Sequence, residues 1–176
     1  MNCEKLIHEN IVFLQQGADL LNSIDDRIYN KTDSTCYASG IGKHIRHNLD
    51  HFDNFLTGLP KSAIDYDARL RDKNTENSRG VAASRIKKII SRLEKLTAAD
   101  PSLKLRVDMN REGDRMNWTE STLARELQFL ISHTVHHYAI IAMILKIQGV
   151  DLQISGFGVA PSTLKYERGT PSAEAA

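Results

Sequence analysis

Seven histidines stand out in this 176-residue chain because six of them fall in two short clusters. His44, His47 and His51 form one, His133, His136 and His137 form the other, and His8 lies apart. Residues four apart on a helix sit one above the other on the same face. His47 and His51 have that spacing, and so do His133 and His137. Two neutral imidazoles so placed can share one divalent ion. Three nitrogen ligands with one coordination position left open are the smallest set for a catalytic metal site. The chemistry within reach is therefore Lewis-acid activation of water or a thiol. His133 and His137 would supply two ligands and the first cluster a third. A helical wheel turns His136 outward and puts His44 and His51 nearer the apolar stripe than His47, so it does not choose the third ligand. Paired histidines also occur as surface groups or hydrogen-bonded core groups. A fourth ligand from His51 would close the site to substrate.

Four segments carry the periodicity needed to position these side chains. Leu6, Ile7, Ile11, Leu14, Ala18 and Leu21 recur at helical spacing from about Glu4 to Ile24. Ile41, Ile45, Leu49, Phe52 and Leu56 do the same from about Gly40 to Thr57, where Gly58 and Pro60 end the helix. A third helix is predicted from Arg79 to Ala98, capped by Ser78, with Val81, Ala82, Ile86, Ile89, Ile90, Leu93 and Leu96 inward, and stopped by Asp100-Pro101. The fourth, about Ser121 to Gln148, has Thr119 or Ser121 as its cap and Gly149 at its end. It is the most apolar and should lie deep in a bundle. Four amphipathic helices in one chain predict an all-α four-helix bundle.

Between the helices lie a polar loop at Asn30 to Ser39 and a long connection at Leu59 to Asn77. Connections of that length tend to be functional or disordered, and this one permits a crossover. Its Tyr66, Arg69 and Arg71 could reach an open metal face, and an arginine there suits a carboxylate. The same run, Asp65 to Asp72, also reads as a solvated charge cluster. Asp50 and Glu126 could orient an imidazole, or be ordinary surface acids. Leu103, Leu105, Val107 and Met109 alternate with polar residues, which predicts a strand. A turn at Arg111 to Asp114 and a return over Arg115 to Trp118 would make a small β-hairpin between helices three and four. Residues 1–168 read as one domain and 169–176 as a disordered tail.

The totals narrow the function classes. With 23 basic and 22 acidic residues the net charge is +1, which predicts no nucleic-acid footprint. Cys3 and Cys36 lack metal or redox spacing and read as free thiols in a reducing compartment. The N-terminus lacks signal-peptide character. The run Ala139 to Ile147, interrupted by Lys146, is too short to span a bilayer. The expectation is a cytoplasmic protein with no membrane partner. No Ser-His-Asp arrangement or Gly-rich phosphate loop competes with the histidines.

The run Ile41-Gly42-Lys43-His44-Ile45-Arg46-His47 resembles the start of helix two in the DinB/YfiT superfamily. A metal histidine stands there seven residues after a Ser/Thr position, which Gly40 occupies here. His133-Thr134-Val135-His136-His137 resembles that family's final-helix motif, which has two metal ligands four apart. The resemblance covers about Glu4 to Gly149. It implies a four-helix bundle with a crossover connection, often a homodimer, and a divalent transition metal (zinc, nickel or iron) on His47, His133 and His137. Many members follow the last histidine with Arg-Gly-Gln, whereas this chain has Tyr138-Ala139-Ile140. The implied activity is that of a metal-dependent hydrolase or a thiol transferase, acting on a small-molecule substrate with a low-molecular-weight thiol as a candidate partner. The alternative is a non-catalytic, stress-related metal-binding bundle.

Overall fold

The four apolar stripes fold as four long helices in the computed structural model, which describes residues 3–96, 104–108 and 118–169. They are α1 (Cys3–Ser23), α3 (Ile41–Gly58), α5 (Arg79–Leu93) and α6 (Leu123–Ile147). Three shorter helices are α2 (Asp26–Asn30), α4 (Lys73–Asn77) and α7 (Pro161–Gly169). The side-chain oxygens of Asp25, Asp72 and Ser78 accept from backbone N–H groups at the starts of α2, α4 and α5, which satisfies donors with no partner inside the helix. Ser78 is the cap its position predicts. The cap of α6 is Thr122 rather than Thr119 or Ser121, because Thr122 is the last residue of a strand that runs straight into the helix. Gly149 follows α6 with φ +76°, a left-handed geometry that glycine adopts without strain.

α1 packs against α5 and α6, and α3 packs against the same two helices. The order around the bundle is therefore α1, α5, α3, α6. The first and third connections cross a diagonal, while the long second connection, where a crossover was expected, joins neighbours. Leu14, Leu21, Ile45, Leu49, Phe52, Ile86, Leu127, Leu130, Ile141 and Leu145 fill the centre and are buried. Asn10 donates to the carbonyls of Leu6 and Leu127 at 2.8 and 3.0 Å, tying α1 to α6. Phe157, beyond α6, folds back to stack on Tyr138 at 4.5 Å.

Some expectations change. α5 ends at Leu93 and a 3-10 turn carries the chain to Leu96; residues 97–100 lie outside the described part. Val81, placed inward by the wheel, is 40% exposed. The tail from residue 170 also lies outside the described residues. The long connection is not structureless. It carries a strand, β1 (Ala63–Asp65), and α4. β1 runs parallel to β2 (Lys104–Asp108), which pairs antiparallel with β3 (Thr119–Thr122). The described return strand is Thr119–Thr122; residues 115–117 of the expected return lie outside the described part. The turn predicted at Arg111 to Asp114 lies outside the described residues. Helix α6 is 25 residues long and apolar enough to cross a bilayer by length and composition, more than Ala139 to Ile147 alone suggested. Here it packs in the bundle against α1 and α3. Cys3 is buried, Cys36 is exposed, and neither is in a disulfide.

Gly42 fixes the approach of α4 to the start of α3. A Cβ there would lie 2.0 Å from the Glu76 carbonyl oxygen and 2.8 Å from the Tyr29 ring. Tyr29 is itself held, donating to the Thr75 carbonyl at 2.8 Å. Gly42→Ala is expected to destabilise the protein by roughly 1–3 kcal/mol, because backbone must shift to admit the methyl group. A urea midpoint equal to wild type would show that α4 moves freely.

Candidate metal centre

The bundle brings α3 and α6 together through a buried polar contact next to the histidines. The Thr134 hydroxyl donates to the Leu130 carbonyl at 2.7 Å and meets the Asn48 side-chain amide at 3.1 Å. Asn48 follows His47 and Thr134 follows His133, so this contact sets the height of one imidazole against the other.

His47, His133 and His137 each offer a ring nitrogen, and the three atoms lie within 4.8 Å of one another. Their ring centroids are 5.0 Å (His47–His133), 4.6 Å (His47–His137) and 4.5 Å (His133–His137) apart. The Nε2 atom of His133 is buried with no hydrogen-bond partner. Buried polar atoms are seldom left so, and an unpartnered imidazole within a group of three is suited to a shared cation. The donor set therefore fits a divalent transition metal.

Burial, then the charges of neighbouring histidines, holds all three imidazoles well below the ordinary value of 6.5: His47 and His137 at about 3 and His133 at about 2. All are neutral at neutral pH, and a neutral imidazole has the free lone pair a metal requires. The sign for stability follows. Between pH 6.5 and about 3 the unfolded chain binds protons that the folded chain refuses. Stability is full above 6.5 and is lost as pH falls through that window. Chelator-treated protein is expected to show a urea midpoint that drops steeply from pH 7 to pH 4, with a shallower slope in His133→Gln. Equal slopes in the two proteins would mean His133 protonates freely in the fold.

The remaining histidines flank the trio. His44 Nδ1 lies 3.0 Å from His137 Nδ1. The Nδ1–H of His51 donates to the His47 carbonyl at 2.9 Å, and its ring lies 4.0 Å from that of His133. Neither joins the group of three. His136 is exposed, as its wheel position predicts. Of the long connection, Arg69 reaches the site, donating from Nη1 to Nδ1 of His47, and Arg71 lines the cavity beside it. Tyr66 instead donates to Glu126 at 2.8 Å while its ring stacks on His51.

Asp50 and Glu126 are not surface acids; each is 1% exposed. Nor does either hydrogen-bond an imidazole: Asp50 serves Arg46 and Arg85, and Glu126 serves Tyr66 and Ser121. The Arg46–Asp50 spacing of four was a readable signal for that pair. Arg85 comes from another helix and carried none.

A cavity of about 530 Å³ opens beside His44, His47 and His137. Lys43, Arg46, Arg69, Arg71 and Lys73 line it, with Glu76 as its acid.

The DinB superfamily family model matches residues 18–141, a span that contains α3, the cavity and all three imidazoles. A protein called FK506-binding protein 5, from Rhizopus delemar, is 34% identical over 138 residues. That match takes in 69% of this chain and 36% of the relative, so the chain spans about a third of the relative's length. No solved structure matches.

Proposed function

This chain belongs to the DinB superfamily, and from that premise we propose that it is a metalloenzyme with one divalent transition metal (zinc, nickel or iron) on His47, His133 and His137. The observation that carries this reading is the convergence of three neutral imidazoles that each offer a ring nitrogen within 4.8 Å of the others, with the Nε2 of His133 buried and unpartnered. When bound, the ion would supply Lewis acidity toward water or a thiol. The protein's own groups do the rest. Three ligand atoms leave coordination positions open, and the adjoining cavity admits a small molecule to them. Arg69, beside His47, places a fixed positive charge where a developing anion would be stabilised.

The activity proposed is hydrolysis or thiol transfer to a small electrophile, in the cytoplasm, with a low-molecular-weight thiol among the candidate substrates and with no nucleic-acid or membrane partner. Exposed Met143 and Ile147 on α6 support a homodimer. The alternative is a non-catalytic metal-binding bundle, which a fourth protein ligand would favour. The three-membered donor group supports the open, catalytic form.

The deciding measurement is metal content and turnover of protein made without a histidine tag, chelated, and reloaded with zinc, nickel or iron(II). Ester hydrolysis or thiol conjugation that returns with one ion per chain supports the enzyme. One ion with no turnover across both classes favours the non-catalytic bundle. No bound ion defeats both readings.

A further inference from the structure

The charges around the cavity do not balance. Lys43, Arg46, Arg69, Arg71 and Lys73 face one acid, Glu76. Glu76 is already engaged, accepting from Arg46 Nε and Lys73 Nζ, each at 2.9 Å. Arg46 gives its remaining strong bond to Asp50 at 2.7 Å. Among the described residues, Lys43 and Arg71 have no acidic partner. The nearest carboxylate oxygen of Asp67 is 3.8 Å from Arg69, and Arg69 Nε is buried with no hydrogen-bond partner.

The backbone contributes as well. Arg71 sits at φ +51°, a left-handed conformation that is uncommon for a residue with a side chain. Asp72 then caps α4 through Asn74 and Thr75, so the chain turns sharply between Arg69 and Lys73 while keeping all three cations on one cavity. Gly40, between the cavity-lining Ser39 and Lys43, begins α3 and offers no side chain to its first-turn N–H groups, so no acidic cap opposes the positive helix end.

We propose that this cavity binds a small oxyanion, a carboxylate or phosphate group on the substrate, through Arg71, Arg69 and Lys43, beside His47 and His137. The assignment rests on the metalloenzyme reading for its purpose but not for its binding energy. A guanidinium grips an oxyanion with paired, charge-assisted hydrogen bonds. The substrate class is thus an anionic small molecule whose reactive group lies next to its carboxylate or phosphate, favoured over a neutral analogue by the unmatched cations.

Succinate and inorganic phosphate serve as probes, with succinamide as the neutral control, each titrated calorimetrically into as-purified and chelator-treated protein. Metal content is measured on the same samples. At least one of the two anions is expected to bind both samples, more weakly as salt is raised, while succinamide does not bind. Arg71→Gln and Lys43→Gln, both at exposed positions, are each expected to weaken that binding about tenfold, the loss of one charge-assisted bond. Lys87→Gln, an exposed cation on α5 outside the cavity, should leave it unchanged. No anion binding, binding that survives in Arg71→Gln and Lys43→Gln, or an equal loss in Lys87→Gln would overturn the proposal. Wild-type protein that retains its metal but binds neither anion sinks this assignment alone. Anion binding kept in a protein that takes up no metal sinks the metal reading alone.

Discussion

His133→Ala is expected to lose at least about 100-fold in metal affinity, since even groups that only support a ligand are worth 10–100-fold. His47→Ala and His137→Ala should match it. His44→Ala and His51→Ala should retain the ion, because neither ring belongs to the group whose nitrogens lie within 4.8 Å. A second expectation separates loss of a ligand from loss of the fold. In the chelated protein, His133 Nε2 is a buried nitrogen with no partner, and removing an unsatisfied buried polar group is neutral or stabilising. His133→Leu should therefore unfold at an equal or higher urea concentration than wild type when both are chelated, and at a lower one when wild type is loaded. That crossing is the mark of a site whose folded arrangement is held for a ligand. Metal lost in His51→Ala as well would point to a closed, four-ligand centre. Metal kept in His47→Ala but lost in His44→Ala would move the α3 ligand one turn back.

The four long helices were legible because each carries enough apolar residues at helical spacing to outvote local exceptions such as Val81. Shorter elements were not. β1 buries Ile64 between two half-buried residues, too short a run to show a period. α2 and α4 are five residues each, and their caps, Asp25 and Asp72, were the signals present. The pair His133 and His137 was readable from spacing alone. The choice of His47 was not, since the wheel measures distance from the apolar stripe, whereas the imidazoles meet at the stripe's edge, where α3 and α6 part. The family motif chose His47, and it is the α3 histidine that lies in the group of three. Arg69 was visible as a cation in a loop. Its contact with His47 depends on the pairing of β1 with β2 and on the cap of α4, which no local pattern reveals.

The largest stability effect is expected at Asp50, on α3 between His47 and His51. Its carboxylate is 1% exposed and accepts from Arg46 at 2.7 Å and from Arg85 at 2.8 Å. Arg46 reaches on to Glu76 of α4, and Arg85 of α5 to Asp53 at 2.7 Å. One buried anion thus joins three helices. Asp50→Ala leaves Arg46 ion-paired with Glu76 alone and Arg85 with Asp53 alone, and breaking a buried pair costs about 3–5 kcal/mol, a large part of the roughly 5–15 kcal/mol that holds a typical domain folded. Asp53→Ala should cost about 1 kcal/mol or less, since that carboxylate is partly exposed. Asp50→Asn should fall between, keeping an acceptor and losing the charge. The triple replacement Arg46→Met, Asp50→Leu, Arg85→Met removes the three central charges at once, leaves Glu76 to Lys73 and Asp53 to Arg92, and should recover most of the loss, because the desolvation penalty goes with the ions. Recovery of stability without recovery of metal affinity would assign the network a positioning role, holding α3 at the rotation that presents His47 to α6. Recovery of both would make it a device of packing alone, and a loss under 1 kcal/mol in Asp50→Ala would mean that water reaches the two arginines when the carboxylate is gone.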